Sequence, residues 1–239
     1  MIKKVLGVLG GMGPAASARF YSMLTNFTKA ECDQNHMEIL LHSLPSIPDR
    51  TAFILKQSAD DPFERIKTAL EKLENAGAEI IAVPCNTAEY FYSKLQSIIS
   101  VPILSITKAA VLSAYEAGFS KVGILATEGT IYAGTYQKAC NIYGLQYDLP
   151  SDSEQDLLND MIYKYIKRSL PVPYLCVLRL LQEFGEHGCD AYILGCTELS
   201  FISNALKQKN YKFIDSLEAL ALQSIKACGY EVNPLAVNT

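Results

Sequence analysis

Short apolar runs alternate with helix-length amphipathic stretches along this chain. Residues 4–10 (KVLGVLG) read as a strand, and a glycine turn leads into a helix over 15–31. A second strand is predicted at 37–43, then a proline-rich loop and a helix over 60–76. IIAVPC reads as a buried strand before a helix over 87–98, and VPILSI (101–106) as a short strand before a helix over 107–117. KVGILAT (121–127) is the next strand, with a helix over 130–143. Residues 153–186 read as helical with one break at Pro171 to Pro173. AYILGC (191–196), helical 198–208, YKFID (211–215) and a helix over 216–228 complete the pattern. Parallel strands need crossover helices and are buried on both faces, so this alternation predicts an α/β fold with mainly parallel sheets.

The pattern also repeats. Gly7 and Gly13 lie six apart in GVLGGMG, and Gly123 and Gly129 lie six apart in GILATEG. Gly77 stands eight residues before Cys85 in GAEIIAVPC, as Gly188 does before Cys196 in GCDAYILGC. The offsets are 116 and 111 residues, in the same order, which points to two similar, pseudo-symmetric α/β domains. With the last strand and helix returning to the first sheet, the expected boundaries are 1–100 plus 213–239 for one domain and 101–212 for the other.

Composition narrows the function. The 239 residues are 49% hydrophobic and 19% charged, so a full apolar core is available and disorder is excluded. A net charge of −4 offers no basic excess for a nucleic-acid backbone. Apolar runs stay short of the roughly 18 residues a membrane span needs. Lys3 and Lys4 before VLGVLGGMGPAAS imitate a leader peptide, but four glycines and Pro14 suit a strand and its turn better. Three scattered histidines (His36, His42, His187) make a metal site unlikely to arise from this sequence.

Seven cysteines, with no Cys-x-x-Cys, fit neither a disulfide framework nor a zinc ribbon; a reducing, cytoplasmic setting is expected. Cys85 and Cys196 stand out. Each follows an apolar strand at the end where α/β folds bind ligands. Each is followed by short polar residues, Asn86-Thr87 and Thr197-Glu198, which could cap a helix or bind a carboxylate. A helix N-terminus there would lower a thiol's pKa. Two thiols aimed into one cleft could take a proton from one face of a carbon and return one to the other. Cys32, Cys140, Cys176, Cys189 and Cys228 read as packing residues.

At these motifs the chain resembles the aspartate/glutamate racemase family, which works without pyridoxal phosphate. GVLGGMGPAAS (7–17) resembles the family's first glycine turn, SIPDR (46–50) its substrate loop, VPCNTA (83–88) and GCTEL (195–199) its two cysteine motifs, and ILATEGT (124–130) its central turn. The resemblance implies an interdomain active site, no cofactor and a homodimer. It implies Cys85 and Cys196 as the acid–base pair, with Asn86, Thr87 and Thr197 binding the α-carboxylate. It implies Met12 and Thr127 in the two turns as substrate contacts, and Arg50 with Lys167 for the distal carboxylate of aspartate or glutamate. Lys164 and Arg168 are rival candidates on the same stretch. Where the family often carries histidine, this chain has Glu89, a possible modulator with Glu198. A Glu89 facing the cleft would raise the Cys85 pKa and repel an acidic substrate; otherwise it is a solvated side chain. Alternative readings are a racemase for a neutral amino acid, a maleate isomerase-like enzyme, and a catalytically idle small-molecule binding protein. The glycine spacing is not the G-x-G-x-x-G of a dinucleotide site.

Overall fold

The two most apolar runs become the centres of two sheets. In the computed structural model, β1 (Leu6–Gly10) is buried along its whole length, and so is β3 (Ile80–Ala82) beside it. The model describes residues 2–185, 187–208 and 211–237. β2 (Ile39–Ser43) and β4 (Ile103–Leu104) complete a parallel sheet in the order β2-β1-β3-β4. The second sheet repeats that order: β5 (Lys121–Leu125) and β7 (Ala191–Leu194) are central, with β6 (Gln146–Asp148) and β8 (Phe213–Asp215) at the edges. β1 pairs with β3 as β5 pairs with β7, so the strands that the sequence repeat relates hold equivalent places in the two sheets.

The helices sit where the spacing places them, with local corrections. α1 spans Pro14–Phe27, α2 Arg50–Ile54, α3 Phe63–Asn75, α4 Tyr92–Gln96 and α5 Ile106–Glu116. α6 (Glu128–Ala133) and α7 (Thr135–Tyr143) are one predicted helix broken at Gly134, which is left-handed at φ 67°. The stretch predicted helical over 153–186 divides into α8 (Asp152–Asn159), a π-helical turn (Asp160–Tyr165), a 3-10 turn (Ile166–Arg168) and α9 (Tyr174–Gly185); residue 186 lies outside the described residues. α10 (Ser203–Gln208), α11 (Ser216–Ala227) and α12 (Pro234–Val237) follow. Three of these elements were not predicted: α2, β6 and α12. β6 is short and polar (QYD) because an edge strand needs no apolar face on its open side.

The expected boundaries group the helix after each crossing with the core it joins but misplace the strand before it. Strand 103–104 pairs with β3, so it belongs to the first sheet rather than to the 101–212 unit. Strand 213–215 pairs with β7, so it does not return to the first sheet. The helices after them cross instead. Leu217, Leu220 and Ile225 of α11 bury against Leu6, Val8 and Phe20 of the first half. Ala109, Ala110 and Ala114 of α5 bury against Val122, Ile124 and Ile193 of the second. Each half thus completes its core with a helix that follows the other half's last strand, which ties the two into one body. Ser105 and Asp215 cap these two helices by accepting from Lys108 N and Leu217 N.

Candidate functional site

Both cysteine motifs emerge from buried strands at matching places. Cys85 comes just after β3 and Cys196 just after β7, and each sulfur-bearing residue is 5% exposed. They line one cavity between the halves. The first half contributes Met12, Asp49, Arg50, Thr51, Cys85, Asn86 and Thr87; the second contributes Thr127, Tyr163, Lys167, Cys196, Thr197 and Glu198. At about 10 Å3 the cavity has room for one water. All nine residues expected to act on or bind substrate therefore meet in one place.

Backbone geometry brings them there. Gly11 sits at φ 95° against the Leu44 backbone, a position a side chain could not share, and this turn carries Met12 to the site. Gly195 lies flat under Tyr136, where a Cβ would come within 2.8 Å of the ring. That contact lets the Tyr136 hydroxyl donate to Asn86 Oδ1 at 2.6 Å. Asn86 Nδ2 donates to Ser216 Oγ at 3.0 Å, and Ser216 Oγ donates to Leu194 O at 2.7 Å. The Asn86 side chain is thus committed to protein partners across the two halves, leaving its backbone N–H as the group able to meet a ligand. Thr87, Thr127 and Thr130 form a triangle of hydroxyls, 2.9 to 3.0 Å apart.

The elements after the cysteines are 3-10 turns, Thr87–Phe91 and Thr197–Ile202, and neither has a side-chain cap. The capping reading of Asn86, Thr87 and Thr197 therefore does not hold, and the idea that a helix N-terminus acidifies both thiols fails at Cys196. Burial first, and then the Glu198 carboxylate, push the Cys196 thiol well above its ordinary value. Its S–H points to Glu198 Oε2 at 3.1 Å, and Thr197 Oγ1 donates to the same oxygen at 3.1 Å.

Two cations flank the thiols. Arg50, 7% exposed, donates to the carbonyls of Ile47, Pro48 and Met12 at 3.0 to 3.5 Å. Burial opposes its charge, but the Cys85 sulfur and the Asp49 carboxylate outweigh that and hold it firmly cationic. Its Nε is buried without a partner. Lys167 Nζ lies 3.5 Å from Glu198 Oε1 and 5.2 Å from the Tyr163 ring centre. Here too burial lowers the pKa, while Glu198 and Cys196 raise it by more. Of the rivals, Lys164 pairs with Asp160 at the surface and Arg168 is exposed; neither lines the cavity. Tyr163 stands four residues before Lys167 and is pushed up to about 12, chiefly by burial.

Asp49, Thr51 and Tyr163 were missed by sequence reasoning. Asp49 and Thr51 flank Arg50 on the N-terminus of α2, where Asp49 Oδ1 accepts from Ala52 N at 2.8 Å. The only available signal was this adjacency. Cys32 was expected to pack but is exposed, its Sγ 3.3 Å from Asn35 Oδ1. Among the described residues, no group of three or more His, Cys, Asp or Glu is placed to hold a metal ion. No helix of the described residues is long and apolar enough to cross a membrane.

Glu89 neither faces the cleft nor lies free in solvent. Its Oε1 accepts from Ser105 Oγ and, at 3.2 Å, from Thr107 Oγ1 at the start of α5. Burial raises its carboxyl to about 7, against the pull of those hydroxyls. The native carboxyl then binds its proton more tightly than the unfolded one. Stability is therefore greatest below 4.5 and declines as pH rises toward about 7. Glu89→Gln keeps an acceptor and removes the ionisation. Urea unfolding should show the variant gaining roughly 1–3 kcal/mol over the parent at about pH 8 relative to about pH 5. Equal pH slopes in the two proteins would show that this carboxylate ionises without cost.

A family model described as Asp/Glu/Hydantoin racemase matches residues 9–223. The chain belongs to this family. As a racemase it is an isomerase. It is similar to the "Broad specificity amino-acid racemase RacX" of Bacillus subtilis, 29% identical over 229 residues, 92% of this chain and 96% of that one. The solved aspartate racemase of Picrophilus torridus superposes with a TM-score of 0.87 at 29% identity over 98% of both chains. An aspartate racemase homologue from Pyrococcus horikoshii covers 94% of this chain and 99% of its own, with a TM-score of 0.76 at 26% identity.

Proposed function

We propose that this racemase inverts the α-carbon of an amino acid by two-base proton transfer between Cys85 and Cys196, with no cofactor. One observation carries the reading: the two thiols come from equivalent strand ends of the two halves and line one buried cavity. In one direction the Cys85 thiolate removes the α-proton. The resulting carbanion is drawn into the carboxylate as an enediolate, and Cys196 delivers its S–H proton to the opposite face. Afterwards Cys85 is the thiol and Cys196 the thiolate, so the reverse direction starts from that state.

The asymmetry between the thiols fits these roles. A Cys196 thiol held protonated beside Glu198 is a ready proton donor, and the carboxylate can take its proton when Cys196 must act as the base. The Arg50 guanidinium stands beside the Cys85 sulfur, on the other side of the site from Glu198 and Cys196. Developing enediolate charge requires preorganised donors. The backbone N–H groups following each cysteine and the threonine hydroxyls at Thr87 and Thr127 are the donors at hand. The unpartnered Arg50 Nε suits a side-chain carboxylate, which makes aspartate and glutamate the first substrates to test. The expectations of a homodimer and a cytoplasmic setting belong to this proposal as well.

The test is incubation with each L-amino acid in deuterated water, following α-deuterium and chirality together. Inversion accompanied by deuterium from solvent is the expected result. An absence of exchange and inversion with every amino acid rejects the reading.

A further inference from the structure

The catalytic cavity is too small for a whole amino acid, but it opens into larger spaces. Five residues at its edge, Met12, Asp49, Arg50, Lys167 and Glu198, also form the floor of a vestibule of about 360 Å3. The vestibule walls are the first glycine turn on one side and Ile47, Ile166 and Phe201 on the other. Through Ala15, Ile166, Ser169 and Phe201 it continues into a groove of about 620 Å3. That groove is apolar, its sides formed by Leu170, Val172, Val177 and Ile202. Both spaces fall in the size range of small-molecule sites, roughly 300–1,000 Å3.

The floor is balanced in charge. Lys167 pairs with Glu198, and the Arg50 guanidinium lies beside Asp49 and donates to three backbone carbonyls. A neutral substrate stem passing over it would leave no cation or carboxylate newly unpaired. Beyond the floor, the wall residues have nothing polar to offer except Ser169. The Phe201 ring is 43% exposed, and its outer side is held by the Arg19 guanidinium 5.4 Å from the ring centre. Arg19 Nε donates to Ser200 Oγ at 2.8 Å, which fixes that arrangement. An exposed aromatic ring held in position at the end of a channel from the reacting centre is a contact surface for apolar substrate atoms.

We infer that this racemase accepts amino acids with long apolar or aromatic side chains, which extend past the shared floor into the vestibule and reach Phe201. The inference rests on the racemase reading above and widens its substrate class beyond aspartate and glutamate. A short acidic side chain stops at Arg50; a longer apolar one continues to the groove.

Ala15 is exposed and lies where vestibule and groove join, so Ala15→Trp narrows the channel without touching either core. Solvent-deuterium exchange into aspartate, glutamate, methionine, leucine, phenylalanine and tyrosine is measured for the parent, for Ala15→Trp and for Phe201→Ala. The parent should turn over phenylalanine and methionine. In Ala15→Trp the phenylalanine-to-aspartate ratio of kcat/KM should fall about ten-fold or more. In Phe201→Ala the KM for phenylalanine should rise several-fold with little change in kcat. Parent turnover confined to aspartate and glutamate overturns the inference and leaves the racemase reading standing. An equal fall for short and long substrates in Ala15→Trp also overturns it. Exchange into none of the six overturns the inference, and the racemase reading falls with it only if the remaining amino acids also show neither exchange nor inversion.

Discussion

Cys85→Ser should reduce racemisation by about 10²–10⁴-fold, and Cys196→Ser should do the same, because the proposed mechanism has each thiol move a proton to or from the α-carbon. The substitutions are close in size, and both residues sit where a hydroxyl can use the same neighbours, so folding should be preserved. The informative readout is the residual exchange. A protein with one competent base can still remove and return the proton on a single face. Cys85→Ser should therefore wash deuterium into one enantiomer without inverting it, and Cys196→Ser into the other. Nuclear magnetic resonance on each pure enantiomer in deuterated water separates these cases. If both variants exchanged the same enantiomer, the two thiols would not be serving opposite faces. An enzyme that works through a single thiol would lose activity with one substitution only.

The second large effect concerns Glu198. Cys196 is kept protonated by burial and by this carboxylate, which accepts its S–H and also pairs with Lys167. Glu198→Gln removes the anion and keeps an oxygen acceptor. The sign for the thiol follows: without a neighbouring negative charge the thiolate is less disfavoured, so the Cys196 pKa falls. A group that merely repels a thiolate should then, on removal, speed turnover. A group that receives the thiol's proton should, on removal, slow it by about 10²-fold or more despite the more acidic thiol. The proton-acceptor role predicts the second outcome. Ultraviolet thiolate absorbance against pH gives the pKa, and the exchange assay gives the rate. A faster enzyme would show Glu198 to be a restraint and not a partner in proton transfer.

Glu89 illustrates why residue identity alone misleads at such sites. It stands four residues after Cys85, where the family resemblance leads to an expectation of histidine, and in a regular helix it could face the cleft. The turn after Cys85 is a 3-10 turn, which directs the side chain to Ser105 and Thr107 instead. The same tight turn follows Cys196 and brings Glu198 to the sulfur. One glutamate beside a cysteine motif thus turns away to α5, and the other reaches the sulfur.

Hydrophobic periodicity and the spaced Gly and Cys motifs were enough for the α/β class, the duplication, the order of nearly all strands and the two thiols. Those features are local, since they depend on which residues alternate and which end a strand. The nine candidate residues that line the cavity were legible as well, because they sit within the quoted motifs or, for Lys167, on the expected helix. Other features depended on contacts between segments far apart in the chain. The expected boundaries already grouped α5 with the second unit and α11 with the first, as the cores show, but the sheets that β4 and β8 join could not be seen, because a short strand carries no mark of its pairing partner. Edge strand β6 lacked a pattern because half its surroundings are water. Tyr163 and Lys167 reach the cavity, and Lys164 does not, through a π-turn with no sequence signature of its own. The direction of the Cys196 shift was likewise decided by burial and by a carboxylate two residues away folding back onto it, a balance of desolvation and charge that exists only once the chain is packed.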